Sequence, residues 1–183
     1  MKKCNLKFVF AIIFVFLNPG NILKAQNFKY VGASKCKMCH NSEAAGQQYK
    51  IWSESKHANS MKTLSSEKAI EYAKKNNIID PTKEPKCLNC HSTYGPANAA
   101  LIDEEVDVTV NDGVSCESCH GPGSSYKTRP IMLDLAKSKE NGLIIPEQKV
   151  CEKCHNADNP FFKPFDFEAA KKLIAHPRPR KAG

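Results

Sequence analysis

The sequence has no long apolar segment and few of the residues that build a conventional hydrophobic core. Aromatic residues make up 8% of its 183 residues, and there is a single Trp. No apolar run reaches the roughly 18 residues of a membrane-spanning helix, so no transmembrane segment is predicted. The length and composition favour a small globular protein with one ordinary domain or two very small ones.

Cysteine and basic residues, in contrast, are abundant. The chain has nine Cys and only six His, and its 27 Lys and Arg against 19 Asp and Glu give a formal net charge of +8. So many cysteines need a role as disulfides, metal ligands or covalent cofactor attachments. A charge of +8 taken alone would suggest binding to nucleic acid or another anionic surface.

The first 25 residues have the layout of a secretory signal peptide. Three lysines within the first seven residues precede an unbroken apolar run over residues 8–17, and a small residue, Ala25, offers a cleavage site. The run is too short to span a bilayer, and Cys4 precedes it, which argues against a lipid-anchored cysteine at the cleavage site. The alternative is a buried N-terminal helix. We predict a signal peptide over residues 1–25 and a mature domain over 26–183, exported to the periplasm or beyond the cell.

Export would change both the net charge and the number of cysteines. Cleavage after Ala25 removes four lysines and no acid, which leaves 23 basic against 19 acidic residues and a net charge of +4. Cys4 is removed as well, so eight cysteines remain in the mature chain.

These eight cysteines form four C-x-x-C pairs, and a histidine follows each pair directly. Two thiols three positions apart can form thioether bonds with the two vinyl groups of one haem, and the adjacent imidazole can ligate its iron. The pattern therefore predicts four covalently attached haem c groups. The cysteines are Cys36, Cys39, Cys87, Cys90, Cys116, Cys119, Cys151 and Cys154, and the iron ligands after them are His40, His91, His120 and His155.

Zinc sites and disulfides explain the pattern less completely. Two C-x-x-C pairs can build a tetrahedral zinc site, but zinc does not require a histidine after every second cysteine, and an exported chain would oxidise its thiols more readily. A disulfide framework gives the four histidines no role. Each ferric haem with ionised propionates also adds about −1, which brings the assembled protein close to neutral. We therefore predict no binding to nucleic acid.

Four haems would form most of the core of so short a chain. This accounts for the shortage of aromatic residues, of which eleven remain after export. The predicted fold is a mainly α, compact multihaem cytochrome c with helices and long loops wrapped around four covalently bound haems and minimal β structure. The patterning predicts helices over Ser42–Leu64, from a Ser65 or Ser66 cap to Lys75, over Ile131–Asn141, and over Phe167–His176 with Asp166 as its cap. It also predicts a short strand over Val106–Val110.

The supply of histidines limits how the irons can be ligated. Four irons present eight axial positions, the motif histidines fill four, and only His57 and His176 are left. We predict both as iron ligands, so at least two haems have something other than a second histidine. Methionine also ligates haem iron. Met132 is a candidate, Tyr126 is a second one, and Met61 is expected to pack against a haem.

Several segments resemble the tetrahaem cytochrome c-554 family. The sequence CKMCH followed by WSESKHANSM is similar to the first motif and helix of that family, GVSCESCHGPG to its third motif, and FDFEAAKKLIAH to its last helix. The order and spacing of the motifs agree along nearly the whole mature chain, and the likeness is least close around the second motif.

This resemblance implies a helical fold with haems in closely stacked pairs. It implies that His57 is the distal ligand of the haem at His120, that His176 is that of the haem at His155, and that the haem at His91 is five-coordinate. The family completes its first haem with a histidine shortly after the GPG turn. This sequence has Pro130 in that neighbourhood and no histidine, which leaves the haem at His40 with another ligand or an open position.

Together these features predict a periplasmic electron-transfer protein that passes electrons between redox protein partners through adjacent haems. The alternative is an oxidoreductase that acts on a small nitrogen or oxygen species, such as nitric oxide, hydroxylamine or peroxide, at an open haem. No motif identifies a catalytic acid or base, so no catalytic residue is predicted. Electron transfer is the leading prediction.

Overall fold

The computed structural model describes residues 28–164 and 166–177. The predicted signal peptide lies outside these residues. The described part contains short helices joined by turns and loops, and two of them, Pro96–Leu101 and Val110–Asp112, are 3-10 helices. The α-helices are α1 (Ala33–His40), α2 (Gln48–Ser53), α3 (Ser60–Thr63), α4 (Glu67–Lys75), α5 (Pro85–His91), α6 (Cys116–His120), α7 (Arg129–Met132), α8 (Leu135–Glu140), α9 (Gln148–Glu152) and α10 (Phe167–Ile174).

The mainly α prediction is confirmed, and the predicted strand over Val106–Val110 is wrong. Across the described residues, the β pairing is limited to one isolated bridge between Tyr30 and Ile102. The segment after residue 105 runs as a loop into the 3-10 helix Val110–Asp112, which Thr109 caps. An alternating apolar pattern needs a neighbouring strand to supply its hydrogen bonds, and none lies beside this segment.

The predicted helix over Ser42–Leu64 is also wrong, because within it only α2 and α3 are α-helical. Gly46 has a φ of 98° and Gln47 a φ of 53°, and because a right-handed helix cannot pass through two left-handed residues, α2 begins only at Gln48. Turns separate α2 from α3, and His57 lies in these turns rather than in a helix.

The helix starts that depend on a capping side chain were predicted well. The hydroxyl of Ser66 accepts a hydrogen bond from the Ala69 N–H at 3.3 Å at the start of α4, and the carboxylate of Asp166 accepts one from the Ala169 N–H at 3.0 Å at the start of α10. α10 ends at Ile174, so His176 lies just beyond the helix. The predicted helix over Ile131–Asn141 is instead divided between α7 and α8.

The hydrophobic core that the protein provides by itself is small. One cluster joins Met61, Leu64 and Leu88, with Cys87 and Val110 packed against it. The helix carrying the first motif, α1, packs against both α2 and α6. None of the helices in the described ranges is long and apolar enough to cross a membrane. The buried hydrophobic residues are Val31, Ala33, Met61, Leu64, Ala73, Leu88, Tyr94 and Tyr126.

Candidate haem sites

Helices present the cysteine pairs of the four motifs. α1, α5 and α6 each contain both cysteines and the histidine of one motif, whereas α9 contains Cys151, with Cys154 and His155 in the turn that follows it. Residues three apart on a helix lie on the same face, so the two thiols of a pair can reach the same ligand. All eight motif cysteines are free thiols, as attachment to haem requires.

The ring of His91 is held by a backbone carbonyl. Its Nδ1 donates to the Ser60 carbonyl at 2.9 Å, while the Ser60 hydroxyl donates to the His91 carbonyl at 2.7 Å. A proton on Nδ1 leaves Nε2 with its lone pair free for a metal, which is the arrangement that proteins use to orient ligating histidines.

The ring of His120 is held in the same way. Its Nδ1 donates to the Ile144 carbonyl at 3.0 Å, and the Ile144 N–H donates to the His120 carbonyl at 2.9 Å. In the first motif, Nδ1 of His40 lies 3.4 Å from the side-chain oxygen of Gln48, a longer contact. The amide of Gln48 also donates to the Pro177 carbonyl at 2.9 Å, which ties the first motif to the residue after His176.

The two remaining histidines lie opposite motif histidines. The ring centroids of His57 and His155 are 6.1 Å apart, and those of His120 and His176 are 5.9 Å apart. Two imidazoles on opposite sides of one metal, each with a metal–nitrogen distance of about 2 Å, have centroids about 6 Å apart. Both pairs therefore have the spacing of two axial ligands on one iron.

This arrangement of rings differs from the ligand pairing that the resemblance implied. His57 lies against His155 and not against His120, and His176 lies against His120 and not against His155. The physical reason is the position of the His57 turn. The Val114 N–H donates to the His57 carbonyl at 3.1 Å, which holds this turn beside the chain that enters the third motif while its ring faces the fourth.

Burial favours the neutral form, which binds metal, at His57 and His120. Loss of solvent, and to a smaller extent the neighbouring His155, lower the pKa of His57. Loss of solvent also lowers the pKa of His120. A histidine must be unprotonated at the ligating nitrogen to bind iron, so both shifts favour ligation.

Cysteines of different motifs lie close to one another. α1 packs against α6, and the thiols of Cys36 and Cys116 are near enough for each to shift the pKa of the other, which joins the first motif to the third. Cys119 lies near both Cys151 and Cys154, which joins the third motif to the fourth.

The last contact joins the fourth motif to the second. The thiol of Cys154 interacts with that of Cys90 and lies 3.9 Å from the carbonyl oxygen of Asn89. These approaches connect the motifs in the series first, third, fourth, second, which differs from the order along the chain. The chain after the second motif also contacts the third motif, because the Tyr94 hydroxyl donates to Glu117 at 3.0 Å.

The candidate ligands other than histidine have varied surroundings. The hydroxyl of Tyr126 is buried and donates to the Gly121 carbonyl at 2.7 Å. Met132 is half-buried at the end of α7. Met61 belongs to the cluster that includes Cys87, in line with the expected packing next to a haem.

Sequence reasoning missed several residues that shape these sites. Ser60 and Ile144 position histidines through backbone carbonyls, which every residue has, so no sequence signal could identify them. Gln48 was hidden in a segment predicted as one continuous helix. Glu117, between the cysteines of the third motif, is 1% exposed, and only its place inside C-x-x-C-H could have drawn attention to it.

The chain is similar to known cytochromes. Residues 35–121 match the family described as cytochrome c554 and c-prime. Cytochrome c-554 of Nitrosomonas europaea is 31% identical over 131 residues, which are 69% of this chain and 51% of that protein. The chain thus spans about half the length of this curated relative. Among solved structures there is no significant match. On the family match and this identity, the chain is similar to the cytochrome c-554 family.

Proposed function

We propose that the protein is a periplasmic tetrahaem c-type cytochrome that carries electrons between two redox proteins. The observation that carries this proposal is the close approach of successive motifs: α1 packs against α6, Cys119 lies near Cys151 and Cys154, and the Cys154 thiol lies 3.9 Å from the Asn89 carbonyl oxygen. Similarity to the cytochrome c-554 family supports covalently bound haem c and electron transfer. When bound, haem supplies a one-electron iron couple whose potential depends on its axial ligands and surroundings.

The protein residues hold the axial ligands in place. In this proposal His155 and His57 would hold the haem of the fourth motif, and His120 and His176 would hold the haem of the third. These two haems are the middle members of the series. The haems at His40 and His91 are its ends, and this sequence has no further histidine for either of them. Electrons would therefore enter and leave at the haems that differ in ligation from those between them.

Haem content and spin state test the proposal directly. Mass spectrometry of the mature protein is expected to show four attached haems and cleavage of the signal peptide. Low-temperature electron paramagnetic resonance is expected to show two low-spin and two high-spin ferric haems. Four low-spin signals would contradict the ligand count, and fewer than four haems would contradict the tetrahaem proposal.

A pair of double variants tests which histidines share an iron. In the His57→Ala/His155→Ala protein both lost ligands belong to one haem, so one low-spin signal should remain. In the His57→Ala/His120→Ala protein each lost ligand belongs to a different haem, so neither low-spin signal should remain. The reverse result would restore the pairing that the resemblance implied. The cysteines are unchanged, and mass spectrometry checks that both proteins carry four attached haems.

Rapid mixing tests the carrier function against catalysis at an open haem. The reduced protein is mixed with nitric oxide, hydroxylamine or peroxide, and the haem spectrum is followed over time. A carrier is expected to bind these molecules or to react with them slowly. Rapid multiple turnover of any one of them would contradict the carrier proposal and favour the alternative, an oxidoreductase.

A further inference from the structure

Glu117 is a buried acid at the centre of the contact between the first and third motifs. It is the residue after Cys116, and its side chain is among the largest that are fully buried in the described residues. A buried charge is costly unless hydrogen bonds stabilise it. The surroundings of this carboxyl group therefore indicate whether it carries a charge.

Four donors converge on the two oxygens of Glu117. Oε1 accepts from the Gly123 N–H at 2.7 Å and the Val31 N–H at 3.0 Å. Oε2 accepts from the Gly32 N–H at 2.9 Å and from the Tyr94 hydroxyl at 3.0 Å. Backbone N–H groups donate hydrogen bonds and cannot accept them. A proton on the Glu117 carboxyl group would therefore find no acceptor among them.

A further hydrogen bond fixes the direction of the Tyr94 hydroxyl. It lies 2.8 Å from the hydroxyl of Ser115, so Ser115 can donate to Tyr94 while Tyr94 donates to Glu117. A carboxylate that accepts several backbone N–H groups is stabilised in its charged form. None of the ion pairs found among the described residues involves Glu117, so dipoles rather than a cation stabilise this anion.

The space around Glu117 leaves little freedom for its side chain. A Cβ atom added at Gly123 would lie 3.1 Å from Oε1 of Glu117 and 2.9 Å from Cγ2 of Val31. The absence of a side chain at Gly123 therefore lets its N–H approach the carboxylate. The charge of the Glu117 carboxylate is therefore held at one position.

The charge of Glu117 reaches groups of both motifs. Burial and then the charge of Glu117 raise the pKa of Tyr30 and of Tyr94. The same charge also acts on the thiols of Cys36 and Cys116. These thiols are the proposed attachment points of two different haems, so one anion lies beside the attachment points of both haems.

We propose that Glu117 is a fixed buried anion that lowers the reduction potentials of the two haems attached at the first and third motifs. A ferric haem has one more positive charge than a ferrous haem, so a nearby anion stabilises the ferric form, and strongly so where little water screens it. This inference rests on the proposed function. It implies that electrons reside preferentially on the haems of the second and fourth motifs.

The fourth motif provides a matched control. Glu152 occupies the same position in its motif, directly after Cys151, but it is exposed and contacts Gln148 at 2.7 Å. Water screens the charge of an exposed group. A Glu152→Gln variant therefore removes the same charge from the same motif position and should change the haem potentials little.

Potentiometric titration of the holo protein, followed by optical and electron paramagnetic resonance spectra, tests the proposal. In Glu117→Gln, the ratio of ferrous to ferric haem at a fixed potential should rise at least tenfold for two haems, a shift of about 59 mV for one electron. One of them should be a low-spin haem, because the haem at His120 is proposed to have two histidines. Glu117→Asp keeps the charge and should restore most of the original potential.

A Tyr94→Phe variant provides a second measurement, and a purely structural role of Glu117 would not predict its outcome. The variant removes a hydrogen-bond donor that partly neutralises the Glu117 carboxylate, while the carboxylate keeps its charge. The ratio of ferrous to ferric haem at a fixed potential should therefore fall by about twofold. If Glu117→Gln does not assemble with haem, this downward shift still tests the proposal. Unchanged potentials, or a rise, in Tyr94→Phe would overturn it, as would equal shifts in Glu117→Gln and Glu152→Gln.

The outcomes separate this inference from the proposed function. Absence of covalent haem from the unaltered protein would contradict the proposed function. Four bound haems whose potentials do not respond to Glu117→Gln would contradict only the role of Glu117.

Discussion

Gly113 lies against the turn that carries His57. It has a φ of 69°, and a Cβ atom at this position would lie 2.8 Å from the Ala58 carbonyl oxygen and 3.0 Å from that of His57. The Gly113 carbonyl accepts from the Thr93 N–H at 2.9 Å, and the next residue, Val114, donates to His57. A single residue without a side chain thus lets three segments of the chain meet where a haem ligand is placed.

We expect Gly113→Ala to destabilise the protein and to weaken ligation by His57. The backbone conformation favours glycine, and a residue forced into such a region costs about 1–3 kcal/mol, to which the contact with two carbonyl oxygens adds. Chemical denaturation should show the loss in free energy of unfolding. Electron paramagnetic resonance should show partial conversion of one haem from low to high spin.

Gly95→Ala is the control for this substitution. Gly95 has a φ of −68°, and its added Cβ would lie 3.3 Å from both Cβ and the carbonyl oxygen of Leu88, farther than the 2.8 Å and 3.0 Å contacts at Gly113. We expect a smaller loss of stability and no change of spin state. Equal effects of the two substitutions would show that Gly113 has no special role.

Among the short helices, α10 leads to the proposed haem ligand His176 although that residue lies beyond the helix. Asp166 caps its first turn, and His176 follows its last residue, Ile174, by two positions. The chain after the helix is held by the bond from Gln48 to the Pro177 carbonyl. The start of the helix and this contact both help to place the His176 ring.

Asp166→Ala should loosen this helix and the ligand that follows it. Loss of an N-cap costs about 1 kcal/mol. We expect a loss of this size in the free energy of unfolding, with an increase in the high-spin fraction of the haem at His120.

Ser66→Ala removes the corresponding cap from α4, which carries no proposed ligand. A similar loss of stability is expected there with unchanged spin states. If both variants altered the haem spectra equally, the proposed link between α10 and His176 would be contradicted.

The helices and loops also show which features of the local sequence determine secondary structure. The starts of α4 and α10 followed from Ser66 and Asp166, because a capping side chain acts on amides two or three residues away. The break in the predicted helix Ser42–Leu64 did not follow, because Gln47 has a left-handed backbone that its residue type does not require. The strand at Val106–Val110 failed for a related reason: its pattern is local, whereas strand pairing depends on a distant partner.

Over the whole molecule, the scarcity of buried apolar residues makes folding dependent on the cofactor. Large hydrophobic side chains such as Met38, Ile79, Leu133 and Leu173 are exposed in the protein part alone. A chain that buries too little apolar surface cannot offset the loss of conformational entropy on folding. Bound haem would supply surface for such side chains to cover.

Protein made without haem attachment should therefore not fold cooperatively. Circular dichroism during heating is expected to show little helix and no sharp transition for this form, and a cooperative transition for the holo protein. A native-like cooperative transition without haem would contradict the prediction. The full mature chain is used in both samples, so only the cofactor differs.

The sequence by itself determined where haem can be attached, how many histidines are available to ligate iron, and that little apolar material remains for a core. These properties depend on residue identity and on spacings of a few positions, which do not change on folding. Only the tertiary structure decided that His57 faces His155 and His176 faces His120, that the motifs adjoin in the order first, third, fourth, second, and that Glu117 is buried while Glu152 is exposed. Each of these depends on contacts between residues far apart in the chain, and so on how the turns and short helices bring distant backbone groups together.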